Sequence, residues 1–158
     1  MRIGVVGDIH GNYYGLKQAV SEMGSIDMLF FTGDGFRDIS RLQAETDVHI
    51  IGVIGNCDFY SNYPPEQLLN LDGHKILLTH GHLYGVKTDL NRLGMAARNK
   101  GAELVVFGHT HMPLNSAWQE IKLFNPGTLS RERSYRGTSY GIIEISDRGI
   151  NMVVNKLI

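Results

Sequence analysis

Cysteine, proline and long apolar runs are scarce in this sequence of 158 residues. The one cysteine, Cys57, excludes an internal disulfide and fits a reducing, cytoplasmic compartment. No apolar run approaches the length of a membrane-spanning helix, and the apolar segment at residues 3–7 is too short for a signal peptide. We therefore expect a cytoplasmic protein without a membrane-spanning segment.

An excess of either charge is also absent. The chain has 15 basic and 16 acidic residues, for a net charge of −1, so we expect no bulk nucleic-acid binding, which usually requires a basic surface. The length and the 42% hydrophobic content are those of one globular domain, which we place at residues 1–158.

Glycine and histidine, in contrast, are plentiful, with 19 glycines and 7 histidines. Histidines that stand next to glycine or in short clusters include His10, His80, His82, His109 and His111. Glycine permits tight turns and close backbone approach, and histidine is the commonest metal ligand. This combination is typical of a metal site.

The spacing of apolar residues predicts an α/β protein with a strand core and helices outside. The predicted strands lie at residues 2–7, 27–32, 49–54, 67–71, 75–79 and 103–107, with only strands after residue 121. The predicted helices lie at residues 12–23, 38–45 and 88–100, with Asn12 and Thr88 as N-caps.

Polar side chains recur just beyond the ends of these predicted strands. They are Asp8, His10, Asp34, Asn56, His80, His109 and His111. In open α/β sheets, ligands bind outside the carboxyl ends of the strands. Five strands therefore direct oxygen and nitrogen ligands towards one edge of the sheet.

The seven side chains are two carboxylates, one amide and four imidazoles. This mixture suits Mn, Fe, Zn, Co or Ni rather than calcium, which prefers oxygen ligands alone. Seven ligands are too many for one tetrahedral ion but suit two ions ~3.5–4 Å apart that share a carboxylate. Such a positively charged site would attract a small phosphate ester.

The motifs that contain these residues occur in the order of a known family. They are Asp8-Ile9-His10, Gly33-Asp34, Gly55-Asn56-Cys57-Asp58, Thr79-His80-Gly81-His82 and Gly108-His109-Thr110-His111. This set resembles the calcineurin-like metallophosphoesterases, in particular the small YfcE-type phosphodiesterases of bacteria and archaea. The turn Asn125-Pro126-Gly127-Thr128 resembles the Asn-Pro-Gly-Ser turn of that subfamily.

The resemblance implies a four-layer α-β-β-α sandwich, in which helices flank two mixed β-sheets. It also implies two divalent ions, most often Mn²⁺, with Ni²⁺, Co²⁺, Fe²⁺ or Zn²⁺ as alternatives, and in-line attack by a bridging hydroxide on a phosphodiester. The first ion would be held by Asp8, His10, Asp34 and His111. The second would be held by the bridging Asp34 with Asn56, His80 and His109. These last three would also be catalytic, and Asn56 would bind the substrate.

One position departs from the larger family. Many members have histidine where this chain has Cys57, and that histidine is thought to protonate the leaving oxygen or to orient the phosphate. A thiol is a poorer acid–base group than imidazole near neutral pH. We therefore hypothesise that Cys57 biases the enzyme towards diesters with leaving groups that need little protonation.

For several other residues, two interpretations of their role remain open. His82 either faces the substrate, as a further catalytic group, or hydrogen-bonds a metal ligand. Asp58 either orients Cys57 or His80, or only begins the next loop. Arg131 and Arg133 either form a solvated face or bind a substrate phosphate. The tyrosines around the motif loops suit either a substrate rim or a homo-oligomer contact.

Three alternative functions remain open. A phosphomonoesterase would use the same metals, with only the rim of the pocket deciding the substrate. A protein-binding scaffold with this fold, as in the retromer subunit, would be expected to have an impaired ligand set. A single-zinc hydrolase would leave Asp8 or Asn56 without a role.

Overall fold

The computed structural model describes residues 1–158, which form ten strands and three α-helices. The strands are β1 (Arg2–Val6), β2 (Met28–Phe31), β3 (Ile50–Gly52), β4 (Glu66–Leu71), β5 (His74–Thr79), β6 (Leu104–Val106), β7 (Leu114–Trp118), β8 (Ile121–Asn125), β9 (Ser139–Ser146) and β10 (Gly149–Lys156). The helices are α1 (Tyr13–Met23), α2 (Phe36–Glu45) and α3 (Asn91–Lys100).

The strands form two five-stranded sheets, each of mixed direction. The first sheet has the order β10-β9-β1-β2-β3, and the second has the order β4-β5-β6-β8-β7. In the first sheet, β1 is parallel to β2 and antiparallel to β9. In the second, β6 is parallel to both β5 and β8. The central strands β1 and β6 therefore carry the first and last ligand motifs at their carboxyl ends.

Three apolar clusters hold the layers together. Phe30 of β2 and Leu78 of β5 meet between the two sheets. On the outer face of the first sheet, Phe31 packs in a cluster with residues of α1 and α2. On the outer face of the second sheet, Leu93 of α3 packs beside Val105. Successive residues of a strand face opposite sides, so both sheets are apolar on both faces. The predicted α-β-β-α sandwich is confirmed.

Of the two predicted N-cap residues, the structure confirms one and contradicts the other. Asn12 caps α1 as expected, because its side-chain oxygen accepts the Gly15 N–H at 3.1 Å. The predicted Thr88 cap is wrong. Helix α3 begins at Asn91, whose N–H is accepted by the carboxylate of Asp89 at 2.9 Å.

Two further differences concern element boundaries. Helix α2 begins at Phe36, two residues before the predicted start. Strand β7 was not predicted, because most of its residues are small, polar or exposed. No helix combines the length and apolar character needed to cross a bilayer.

Candidate metal centre

The predicted ligands come from both sheets and meet at one edge of the sandwich. Asp8 follows β1, Asp34 follows β2, and His80 follows β5. The N–H of His109, which follows β6, donates to Asp8 Oδ2 at 2.9 Å and so joins the two sheets at this edge. The convergence expected from the strand ends is therefore present.

The first ligand group contains Asp8, His10 and His111, whose ligand atoms all lie within 4.8 Å of one another. Asp8 Oδ1 lies 3.2 Å from His111 Nε2 and 3.8 Å from His10 Nε2. This oxygen is buried and has no hydrogen-bond partner. A buried carboxylate oxygen without a partner is unfavourable, and a cation between these three side chains would satisfy it.

The second ligand group contains Asp34, His80 and His109, again within 4.8 Å. Asn56 belongs beside it, because its Oδ1 lies 2.9 Å from His80 Nε2. Asp34 Oδ2 lies 3.4 Å from His80 Nε2 and 3.8 Å from His10 Nε2 of the first group. Asp34 thus occupies the position between the groups that a bridging carboxylate requires.

The tautomer of His80 supports a cation in the second group. Its Nδ1 lies 2.7 Å from the carbonyl oxygen of Thr32, which can only accept, so Nδ1 carries a proton. In the neutral ring, Nε2 then presents a lone pair towards the oxygen of Asn56. A shared cation would remove the repulsion between these two electron-rich atoms, and the donor set fits a divalent ion.

Burial and neighbouring charges shift the pKa values of three predicted ligands. Burial lowers the pKa of His80, but its hydrogen bond to Asp34 and the charges of Asp8 and Asp34 raise the pKa above the ordinary value. Burial raises the pKa of Asp34, yet contact with His80 and the Cys57 N–H holds it below the usual range. Burial and the charge of His80 lower the pKa of His109 to about 4.

The backbone is strained at five of the seven predicted ligands. Positive φ angles occur at Asp8 (47°), His10 (47°), Asp34 (60°), His109 (70°) and His111 (60°). Non-glycine residues rarely adopt this conformation, and it persists only where surrounding structure imposes it. The motif loops are therefore held in the one conformation that brings their side chains together.

Two buried residues of the Asn125–Thr128 turn impose part of this conformation. The Thr128 hydroxyl donates to the carbonyl oxygen of Asp8 at 2.6 Å. The Asn125 amide donates to the carbonyl oxygen of Gly108 at 3.0 Å and to the Thr110 hydroxyl at 3.1 Å. This turn thus supports both the first and the last ligand motifs.

The comparisons with known proteins agree with this geometry. The sequence matches the calcineurin-like phosphoesterase superfamily domain over residues 1–148. The chain belongs to this superfamily. The calcineurin-like domain is 30% identical to the probable metallophosphoesterase YsnB of Bacillus subtilis over 148 residues, which cover 93% of this chain and 86% of YsnB.

Phosphodiesterase YfcE of Escherichia coli is 34% identical over 103 residues, covering 60% of this chain and 52% of YfcE. A conserved Streptococcus pneumoniae protein, described as a predicted phosphoesterase, superposes with a TM-score of 0.79 at 30% identity, covering 98% of this chain and 88% of that one. Vps29 of Entamoeba histolytica, complexed with zinc, superposes with a TM-score of 0.75 at 19% identity over the whole of both chains. This last similarity shows the fold alone.

Asp58 has a role in the calcineurin-like domain that the sequence did not reveal. Its carboxylate accepts four backbone N–H groups, those of Asp34, Gly35, Phe36 and Gly55, at 2.8–2.9 Å. Asp58 thus fixes the loop that carries Asp34, and it does so through the backbone rather than through Cys57 or His80. The only sequence signal was its place in the Gly-Asn-Cys-Asp motif.

Cys57 and His82 lie beside the two ligand groups. Cys57 is exposed, and its thiol forms a third potential ligand group with His10 and Asp34. Burial and the charge of Asp34 raise the pKa of this thiol. The ring of His82 lies 5.3 Å from that of His80, and its buried Nδ1 has no hydrogen-bond partner. Either of the two predicted roles of His82 is compatible with this position.

Open clefts flank the centre on two sides. The Cys57 cleft, of about 470 Å³, is lined by His10, Asp34, Cys57, Phe36, Arg37 and Phe59, among others. The Lys87 cleft consists of adjoining cavities of about 620 and 350 Å³, both lined by Lys87, His111 and Tyr135. Arg133 lines the smaller cavity of the Lys87 cleft, whereas Arg131 is exposed and lines neither cleft.

Gly55→Ala is expected to disturb the centre, because an added Cβ would lie 2.1 Å from Asp34 Oδ1 and 2.4 Å from the Asp34 backbone nitrogen. We expect a loss of about 2 kcal/mol in the free energy of unfolding and weaker metal binding, measured by denaturation and calorimetry. Gly137→Ala is the control, because its φ is +85° but its Cβ would meet no neighbour. It should lower stability slightly and leave metal affinity unchanged. Unaltered metal affinity in Gly55→Ala would contradict this prediction.

Proposed function

We propose that residues 1–158 form one domain that hydrolyses phosphodiesters at a centre of two divalent ions. The observation that carries the proposal is the pair of ligand groups around Asp34 with a cleft on each side. A diester has two substituents, one for each cleft, whereas a monoester has one. The similarity of this chain to YfcE, a phosphodiesterase, also supports this reaction.

The side chains of the centre have distinct roles in this proposal. Asp8, His10 and His111 would hold one ion, Asn56, His80 and His109 would hold the other, and Asp34 would be shared by both. The ions would supply Lewis acidity to the phosphoryl oxygens and acidify a water molecule for in-line attack. Asn56 is exposed, so its amide can contact the substrate phosphate. Thr32 keeps His80 in the tautomer that binds through Nε2.

Manganese is the proposed metal, because the mixed carboxylate and imidazole set suits it and its first-row neighbours. A cytoplasmic location and assembly into a homo-oligomer are proposed as well. The assembly rests on exposed aromatic side chains such as Phe59 and Tyr60, which are 75% and 94% exposed.

The test is hydrolysis of bis(p-nitrophenyl) phosphate and p-nitrophenyl phosphate by metal-stripped protein, with and without added Mn²⁺. Manganese-dependent cleavage of the diester, lost in His109→Ala, is the expected result. Preference for the monoester would instead support the phosphomonoesterase alternative. Bound metal without cleavage of either ester would favour a protein-binding scaffold. This alternative is considered because the chain shares its fold with the sorting protein Vps29.

Cys57→His tests the hypothesis about the leaving group. An imidazolium at this exposed position beside Asp34 is a stronger proton donor near neutral pH than the thiol. We expect a gain of about 10-fold or more in kcat for diesters with alkoxide leaving groups and little change for p-nitrophenolate. Equal responses of the two substrate classes would refute the hypothesis.

A further inference from the structure

The Lys87 cleft gathers positive charges that have no carboxylate partners. Lys87, Arg133 and Arg136 line its two cavities, and none of them forms an ion pair with a carboxylate. Two carboxylates, Asp89 and Glu132, line the same cleft, so its cations are in excess by one.

The Lys87 cleft adjoins the metal centre. His111, a predicted metal ligand, forms part of the wall of both cavities. The cleft is therefore continuous with the place where a phosphate would react.

The larger cavity adds an apolar floor to this charge. Val86 and Phe107 are buried beneath it, and Met112 is 40% exposed at its surface. Tyr135 is 81% exposed and Arg136 lies next to it on the β8–β9 loop. A tyrosine ring, a guanidinium plane and an apolar floor together suit a planar ring, which stacks on such groups.

We propose that the Lys87 cleft selects the ester substituent of the substrate, and that this substituent carries both a planar ring and a second anionic group such as a phosphate. The proposal rests on the proposed phosphodiesterase function and names the substrate class of the same site. The ring would lie on the apolar floor, and the second anion would contact Lys87 and Arg133. A nucleoside that bears a further phosphate has this chemistry.

The cleft is tested with two chromogenic diesters, the p-nitrophenyl ester of thymidine 5′-phosphate with and without a 3′-phosphate. Water adds to phosphorus, the bond to p-nitrophenolate breaks, and the thymidine phosphate is the second product. At low salt we expect kcat/KM to be about 10-fold higher for the 3′-phosphorylated ester, because charge-assisted hydrogen bonds form only with the second phosphate. The preference should fall as salt is added.

The double variant Lys87→Gln/Arg133→Gln should bring the kcat/KM ratio of the two esters close to one. Arg148→Gln, which removes an exposed arginine of the β9–β10 turn, should leave the ratio as in the unaltered protein. Equal kcat/KM for the two esters in the unaltered protein would overturn the proposal. So would a preference that persists in the double variant.

Failure of the proposed phosphodiesterase function would give a different experimental result from failure of the cleft assignment. If the Mn²⁺-loaded protein cleaves neither thymidine ester nor bis(p-nitrophenyl) phosphate, the phosphodiesterase proposal fails. Calorimetric binding of thymidine 3′,5′-bisphosphate and thymidine 5′-phosphate then tests the cleft by itself. Tighter binding of the bisphosphate that disappears in the double variant supports the cleft assignment, and equal binding of the two overturns it.

Discussion

Asp34→Asn should reduce kcat for bis(p-nitrophenyl) phosphate by about 1,000-fold or more. The substitution keeps the size of the side chain and leaves an oxygen to accept the Cys57 N–H, which Asp34 Oδ1 accepts at 2.8 Å. It removes the negative charge from the position between His10 and His80. A neutral amide cannot bridge two divalent ions, so at least one ion should be lost.

Metal content measured on the same preparation separates this effect from a loss of structure. We expect two ions per chain in the unaltered protein and at most one in Asp34→Asn, with an unchanged circular dichroism spectrum. Asp147→Asn, an exposed aspartate of the β9–β10 turn, is the control and should retain both ions and full activity. An Asp34→Asn variant with two ions and normal kcat would refute the bridging role.

Asp58→Asn should lower the free energy of unfolding by about 3 kcal/mol, although Asp58 is not a predicted ligand. Its two carboxylate oxygens accept four N–H groups at the start of α2 and in the Gly55 loop. An asparagine places an NH₂ group against two of these donors. The negative charge that favours the N-terminus of α2 is lost as well. We expect the melting temperature to fall by about 10 °C.

Asp38→Asn is a matched control for this prediction. Asp38 and Asp58 are both 9% exposed, but Asp38 accepts one N–H, that of Gly11 at 3.0 Å. An asparagine can still accept that bond. Asp38 also lies in the first turn of α2, so both variants lose a negative charge near this helix end, and the melting temperature of Asp38→Asn should fall by much less than that of Asp58→Asn. Asp58→Asn should also weaken metal binding, because the loop of Asp34 loses its support. Equal melting temperatures for the two variants would show that the four bonds to Asp58 contribute little.

The sequence predicted the architecture well because strand ends and glycine motifs are local signals. A buried strand followed by Gly33-Asp34 or Gly108-His109 indicates where a turn brings a polar side chain to the sheet edge. The cap of α3 was less predictable, because Thr88 and Asp89 are both good capping residues. Strand β7 lacked apolar alternation, and its pairing with β8 is a tertiary property.

The supports of the centre could not be predicted from local signals. Three of the four bonds to Asp58 come from the Asp34 loop, which lies more than twenty residues earlier in the chain. The bond from Thr128 to Asp8 spans 120 positions. Sequence reasoning identifies side chains that suit a metal, but partners that act through the backbone become visible only once distant segments meet.

The place of β1 in the first sheet has a consequence for biosynthesis. Synthesis proceeds from β1 towards β9, yet these two strands are antiparallel neighbours, with Arg2 opposite Glu144. The nascent β1 therefore has one side without its partner until β9 has been made, and such distant pairing slows folding. Asp8 and His10 follow this strand directly, so the group of Asp8, His10 and His111 is expected to reach its final geometry only after β9 has paired with β1. A metal ion bound there would accordingly be acquired late in biosynthesis.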